Sequence, residues 1–299
     1  MVGDGSVAAT PLRRPGKPTY LIAFDASAYP LNVPFVTVDG VDVHYVELGS
    51  ADAEHTVVVL HGFPIDQRLC VATFEPSFRQ RPGWRRIYPD FPGMGQTRAP
   101  DWVTSTDDIF KVTQNAVHAL VPGRFALAGI SYGGYIAMGM ADATPDRVTG
   151  LALIVPVIVP AHEERDVGAH QVLVRDDGLR GTEMFEELAV VVTADTLRRH
   201  NEQIEPAVAD ADQAAVERIS ANYTGTFPLV GPDYERPSLV VLGRQDNVLG
   251  FNDQWHAMGR WSRATFVILD RAGHALPSEQ PALLTPLIDD WLDRILQVS

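Results

Sequence analysis

The sequence predicts an α/β fold: a doubly wound, mostly parallel sheet with an antiparallel N-terminal hairpin and a helical cap in its second half. Three observations predict it. Six short runs rich in β-branched residues, at 56–60 (TVVVL), 86–88, 125–128, 151–155 (LALIV), 238–242 (SLVVL) and 265–269 (TFVIL), are apolar with little polar alternation. That is the pattern of strands buried on both faces. Helical patterns separate them, and about seventy residues between Pro156 and Pro232 interrupt the strand series.

Taken in order, residues 1–17 are rich in Gly, Pro and Arg without periodicity and are expected to be a disordered tail. Residues 18–34 carry Tyr20, Phe24 and Tyr29 and are expected to lie over the body. Residues 35–48 (FVTVDGVDVHYVEL) alternate on either side of Asp39-Gly40, a hairpin signal. The alternation sets Asp42 and His44 on a solvated face, so no metal site is expected there. Residues 105–120 read as a helix capped by Ser105, with Asp107 and Asp108 in its first turn and Ile109, Val112, Ala116 and Leu120 along one face. Residues 282–296 close the chain with a second clear helix. The core is thus expected over 18–156 and 232–299, with a cap at 157–231 over the C-terminal strand ends, where such sheets bind ligands. Amphipathic stretches at 183–192 and 207–219, with Val172, Leu173, Met184, Phe185, Tyr223 and Phe227, supply the cap's apolar side chains.

Composition narrows the function classes. With 299 residues and 45% hydrophobic content the chain can bury a sizeable core. Its longest apolar run, residues 151–161, contains Pro156 and Pro160 and is well short of the roughly 20 residues that span a bilayer. No apolar segment follows Arg13 and Arg14, so neither a Sec nor a twin-arginine signal is supported and the expected location is cytoplasmic, with no membrane partner. Cys70 is the only cysteine, which excludes an intramolecular disulfide and a four-cysteine zinc site; it is expected to be a small hydrophobe on a helix. A net charge of −14 argues against nucleic acid as a partner. Residues 163–220 hold fourteen acids against six arginines, a local charge of −8. The expectation is a solvated helical face that could also attract cationic substrates. The HExxH, Walker A and Cys-x-x-Cys motifs are absent and Gly93-Met94-Gly95 lacks the third glycine of a dinucleotide loop, so no cofactor and no metal are expected.

One constellation carries chemistry. Gly129-Ile130-Ser131-Tyr132-Gly133 fits G-x-S-x-G. An apolar strand, read as ending at Gly129, precedes it and a helical pattern follows, the strand–turn–helix setting the motif requires. Flanking glycines remove the Cβ atoms that would collide in so sharp a turn, leaving the Ser131 hydroxyl above the sheet. A serine hydroxyl needs a base, and the base an orienting acid. Of nine histidines, His274 stands just past the strand at 265–269, on a loop at the carboxyl edge of the sheet. Asp246 stands just past the strand at 238–242, on the neighbouring loop. Asp270 is the rival acid, but four residues from His274 are too few to leave the strand and return.

Four elements together resemble the α/β-hydrolase superfamily over nearly the whole chain from about residue 35. They are His61-Gly62-Phe63-Pro64, Asp90-Phe91-Pro92-Gly93-Met94-Gly95-Gln96-Thr97, the GISYGG elbow at 129–134, and Ala272-Gly273-His274 followed by Glu279-Gln280-Pro281. The resemblance implies Ser131, Asp246 and His274 as the catalytic residues, in that family's chain order, and an oxyanion hole from the backbone amides of Phe63 and Tyr132. His61 is then a turn residue. A serine at the elbow separates the chain from epoxide hydrolases and haloalkane dehalogenases, which place aspartate there, and GISYGG differs from the GGSWGG of proline iminopeptidases. The implied activity is hydrolysis of a carboxylic ester or lactone of a small hydrophobic molecule. Thioester, amide, perhydrolytic and carbon–carbon cleavage use the same residues, and a ligand-binding receptor uses the same fold. Residues 153–160 (LIVPVIVP), leading into an acidic cap, also resemble serine hydrolases that open macrolide antibiotics, whose amino sugars are cations.

Overall fold

The computed structural model describes residues 34–229 and 234–298. The expectations for residues 1–17 and for nearly all of 18–34 lie outside them. The chain opens with β1 (Phe35–Val38) and β2 (Val41–Leu48). Asp39 and Gly40 both take positive φ, +52° and +78°, the backbone that a two-residue hairpin turn demands. Next come β3 (His55–Leu60), α1 (Gln67–Phe78), β4 (Trp84–Pro89), α2 (Thr106–Leu120), β5 (Phe125–Ile130), α3 (Tyr132–Ala143) and β6 (Val148–Ile154). After an insertion the sheet resumes with β9 (Ser238–Gly243), followed by α8 (Asn252–His256), β10 (Ala264–Leu269), α9 (Leu276–Glu279) and α10 (Pro281–Leu296).

The strand order is β1-β2-β4-β3-β5-β6-β9-β10. β2 pairs antiparallel with β1 and β4, and every pairing from β4 to β10 is parallel. β5 and β9 are buried along their whole length, as apolar runs without alternation require when helices cover both faces. α1 packs on α10, and α2 on α3. Ser105 caps α2 as its sequence implies: Ser105 Oγ accepts from the Asp108 amide at 3.2 Å.

Several local expectations are corrected. β5 does not stop at Gly129 but runs through Ile130, because Gly129 and Ile130 still pair with Leu153 and Ile154 of β6. His44 does not face solvent: it is 3% exposed, and its Nδ1 lies 2.6 Å from Asp90 Oδ2. Only Asp42 keeps to the exposed side, where Thr37 donates to it. A hairpin reading treats β2 as having one neighbour, but β2 also pairs with β4, and the turn after β4 closes over His44.

The insertion between β6 and β9 is not purely helical. It holds β7 (Val174–Arg175), α4 (Glu183–Leu188), β8 (Val191–Val192), α5 (Ala194–Gln203), α6 (Glu205–Asp210) and α7 (Gln213–Ser220), with β7 and β8 paired in a small parallel sheet. The stretch 183–192 therefore changes from helix to strand at Ala189-Val190. The stretch 207–219 breaks at Ala211-Asp212, where Asp212 caps a new helix by accepting from the Ala215 amide.

Candidate active site

Parallel register brings distant residues to one edge. Gly129 of β5 is level with Leu153 of β6, Leu153 with Val240 of β9, and Val240 with Phe266 of β10. The loops that follow β5, β9 and β10 therefore emerge side by side, and they carry Ser131, Asp246 and His274. Ser131 sits between β5 and α3 at φ +55°, a strained value for a residue with a Cβ. The strain is held from several sides. The Ser131 amide donates to Ile154, and its carbonyl accepts from Gly134, Tyr135 and Val157. Gly133 makes the close approach possible, since a Cβ there would lie 2.1 Å from the Leu60 carbonyl oxygen at the end of β3.

His274 Nε2 lies 3.0 Å from Ser131 Oγ, and its Nδ1 lies 2.9 Å from Asp246 Oδ2. The other oxygen of Asp246 accepts from the amides of Val248 and Leu249, both at 2.8 Å. Asp246 is 3% exposed and acts as acceptor toward every partner, so the imidazole carries its proton on Nδ1. Nε2 is left to accept from the serine hydroxyl. Asp270 is exposed, and its described contact is a backbone one, from Gln245.

The His61-Gly62-Phe63-Pro64 turn abuts the same point, with a Cβ built on Gly62 falling 3.5 Å from Ser131 Cβ. Among the described residues neither the Phe63 amide nor the Tyr132 amide, at the first position of α3, has a hydrogen-bond acceptor. Two unpaired donors beside a serine hydroxyl can hold a developing alkoxide. His61 is fully committed elsewhere: Nδ1–H donates to the Gly62 carbonyl at 2.7 Å, and Nε2 accepts from the Phe91 amide at 2.9 Å. Burial also pushes its pKa down, so it is a neutral strut and not a base. Cys70 is fully buried on α1, and burial pushes its thiol well up.

Some residues around the site were given no specific role there by the sequence reading. Tyr223, from the insertion, packs on the side chains that flank these two amides, with ring centroids 5.8 Å from Phe63 and 5.1 Å from Tyr132. Arg165 lies over Tyr223 and donates to the carbonyls of Val159, Pro160 and Val248, tying the start of the insertion to the Asp246 loop. Asp90 collects His44 and the amides of Gln67 and Gln96, which ties the turn after β4 to the start of α1. Asp66 caps α1, and burial beside Asp90 raises its pKa to about 6. Of these, Asp90 had a signal as a member of a quoted motif, and Tyr223 as one of the apolar residues expected in the cap. Among the described residues no cluster of three or more His, Cys, Asp or Glu could hold a metal, and no helix is long and apolar enough to cross a membrane.

A model of the alpha/beta hydrolase family matches residues 57–286. The chain belongs to the alpha/beta hydrolase family. Its general class is therefore hydrolase. Similar solved structures include an alpha/beta superfamily hydrolase from Oenococcus oeni PSU-1, 27% identical with a TM-score of 0.78, covering 85% of this chain and 96% of that one. A thermophilic esterase from Thermogutta terrifontis is 24% identical, TM-score 0.65, covering 88% and 97%. A membrane phospholipase A described as a bacterial virulence factor is 25% identical, TM-score 0.67, covering 89% and 86%. Against this family background the strained serine, its histidine and the buried aspartate occupy one strand edge, with the unpaired amides beside them.

Proposed function

We propose that the protein is a serine hydrolase that cleaves a carboxylic ester or lactone of a small hydrophobic molecule through an acyl-enzyme. The observation that carries this reading is the continuous hydrogen-bond chain from Ser131 through His274 to Asp246. Ser131 Oγ attacks the acyl carbon while His274 Nε2 takes its proton. Asp246 keeps the proton on Nδ1 and stabilises the imidazolium. The amides of Phe63 and Tyr132 receive the oxyanion, a contribution typically worth about 3–4 kcal/mol per donor. His274 then protonates the leaving alkoxide, and a water deprotonated by the same imidazole hydrolyses the acyl-enzyme.

The insertion acts as a cap in this reading. Tyr223, Phe227 and Leu229 pack against the main core cluster, which favours an apolar substrate. The acid-rich stretch 163–220 favours a molecule carrying a cation. Several of its acids are paired, Glu186 with Arg175, Glu202 with Arg198 and Asp210 with Arg68, so any attraction comes from the overall field and not from one site.

The test is a fluorophosphonate probe on the folded protein, followed by peptide mass spectrometry and a screen of esters and lactones that includes macrolides. The expected adduct is on Ser131, and the expected product carries one water added across an acyl–oxygen bond. No adduct would turn the reading toward a ligand-binding receptor. A product of carbon–carbon scission would replace the ester assignment.

A further inference from the structure

Glu279 is a buried carboxylate, 7% exposed, on the short helix α9. Among the described residues it forms no ion pair. Instead its Oε1 accepts from the amides of Val190 and Val191, at 2.6 and 3.0 Å, and its Oε2 accepts from the amide of Gly273 at 2.7 Å. The first two amides belong to the insertion and the third is one residue before His274. The contact between these segments is close, since a Cβ on Gly273 would fall 2.7 Å from a Val190 methyl. Two further bonds run the same way. Asn247, beside Asp246, donates to the Glu187 carbonyl at 3.0 Å. Arg199 of α5 donates to the Ser278 carbonyl at 2.9 Å.

Three donors converging on two oxygens require a group that only accepts. A glutamine would turn an N–H toward at least one of the amides. The chain geometry makes the consequence local to the base, because the Gly273 amide is the last hydrogen-bonded backbone donor before His274.

We propose that Glu279 is a positioning residue that couples the insertion to His274: one carboxylate holds the 190–191 segment and the His274 loop together, so the imidazole is seated over Ser131 only when the insertion is docked. The inference rests on reading His274 as the base toward Ser131. Burial holds the Glu279 carboxyl above the usual carboxylate range, the three amides oppose this, and Asp246 adds to it. The charged and titratable groups around it are Asp246 and His274 on the two loops, Arg199 on α5 and His170, whose Nε2 donates to the Ala189 carbonyl.

Glu279→Gln and Glu279→Asp in the full chain test this. Both are compared with wild type for kcat and KM on p-nitrophenyl acetate and for the His274 Nδ1 proton resonance. In Glu279→Gln, kcat is expected to fall about 10- to 100-fold, as misplacing a base does, with KM changed less than about threefold. The His274 Nδ1 proton resonance is expected to shift, because the loop that carries the imidazole loses its anchor. Glu279→Asp keeps the accepting oxygens and shortens the reach, so kcat still falls. Wild-type kcat and an unmoved Nδ1 resonance in Glu279→Gln would overturn the proposal. If that variant does not fold, wild-type kcat in Glu279→Asp overturns it equally. A wild-type protein inert to both ester and fluorophosphonate sinks the serine hydrolase reading instead. The Nδ1 resonance then decides the positioning: a shift in Glu279→Gln supports it and an unchanged one ends it.

Discussion

His274 Nε2 and Ser131 Oγ lie 3.0 Å apart although 143 residues of chain separate them. A neutral imidazole at that distance is placed to remove the hydroxyl proton. Ser131→Ala is expected to lower kcat on a short-chain p-nitrophenyl ester at least about a thousandfold, as removal of a serine nucleophile does. The melting temperature should stay close to wild type. Retention of most activity in a purified, folded variant would take Ser131 out of the mechanism.

The two candidate acids are separable by substitution. Asp246→Asn puts an N–H where His274 Nδ1–H must be accepted, which drives the imidazole toward the tautomer that cannot receive the serine proton. The expected loss in kcat is about 10⁴-fold. Asp270→Asn, at an exposed position, should change kcat less than about twofold. Steady-state kinetics on the pair decide it, and equal losses would return Asp270 to consideration.

Stability should carry the signature of Asp66. Burial, with Asp90 beside it, raises this carboxyl from 3.8 to about 6 in the folded state. Between about pH 4 and 6 the folded chain holds a proton that the unfolded chain has released, so stability falls as pH rises through that window. Asn caps helices as well as Asp does. Asp66→Asn is therefore expected to remove roughly 3 kcal/mol of that pH dependence. Urea unfolding of both proteins at pH 4 and pH 7 measures it, and parallel pH profiles would show that Asp66 does not titrate in this range.

Charge should bias substrate choice through the field of the chain, whose net charge is −14. A cationic ester is expected to have a higher kcat/KM than its matched anionic analogue. The ratio should shrink severalfold from about 0.01 to 0.1 M salt, where the screening length drops from about 30 to 10 Å. If both substrates respond to salt alike, the acids of residues 163–220 serve solvation only.

Local pattern determined the elements that set the site. The apolar runs of β3, β5, β6, β9 and β10, the Asp39-Gly40 turn and the Ser105 cap are short-range consequences of side-chain size, branching and backbone freedom, and all are legible within a few residues. The elbow at Ser131 is of the same kind, since glycine on each side is a local requirement. Position relative to strand ends also singled out Asp246 and His274, because a residue just past a parallel strand has only one edge to occupy. Tertiary structure decided what depends on partners far along the chain. His44 is buried because β2 acquires β4 as a second neighbour, which the period-two pattern of one hairpin does not encode. The amphipathic stretches 183–192 and 207–219 each divide, since β8 needs β7 across from it and Asp212 needs a helix to cap. Glu279 stands in the sequence as part of the Glu279-Gln280-Pro281 string after His274, with no role legible there; only when the insertion and the His274 loop are folded against each other do three amides, from positions 190, 191 and 273, point at a single carboxylate.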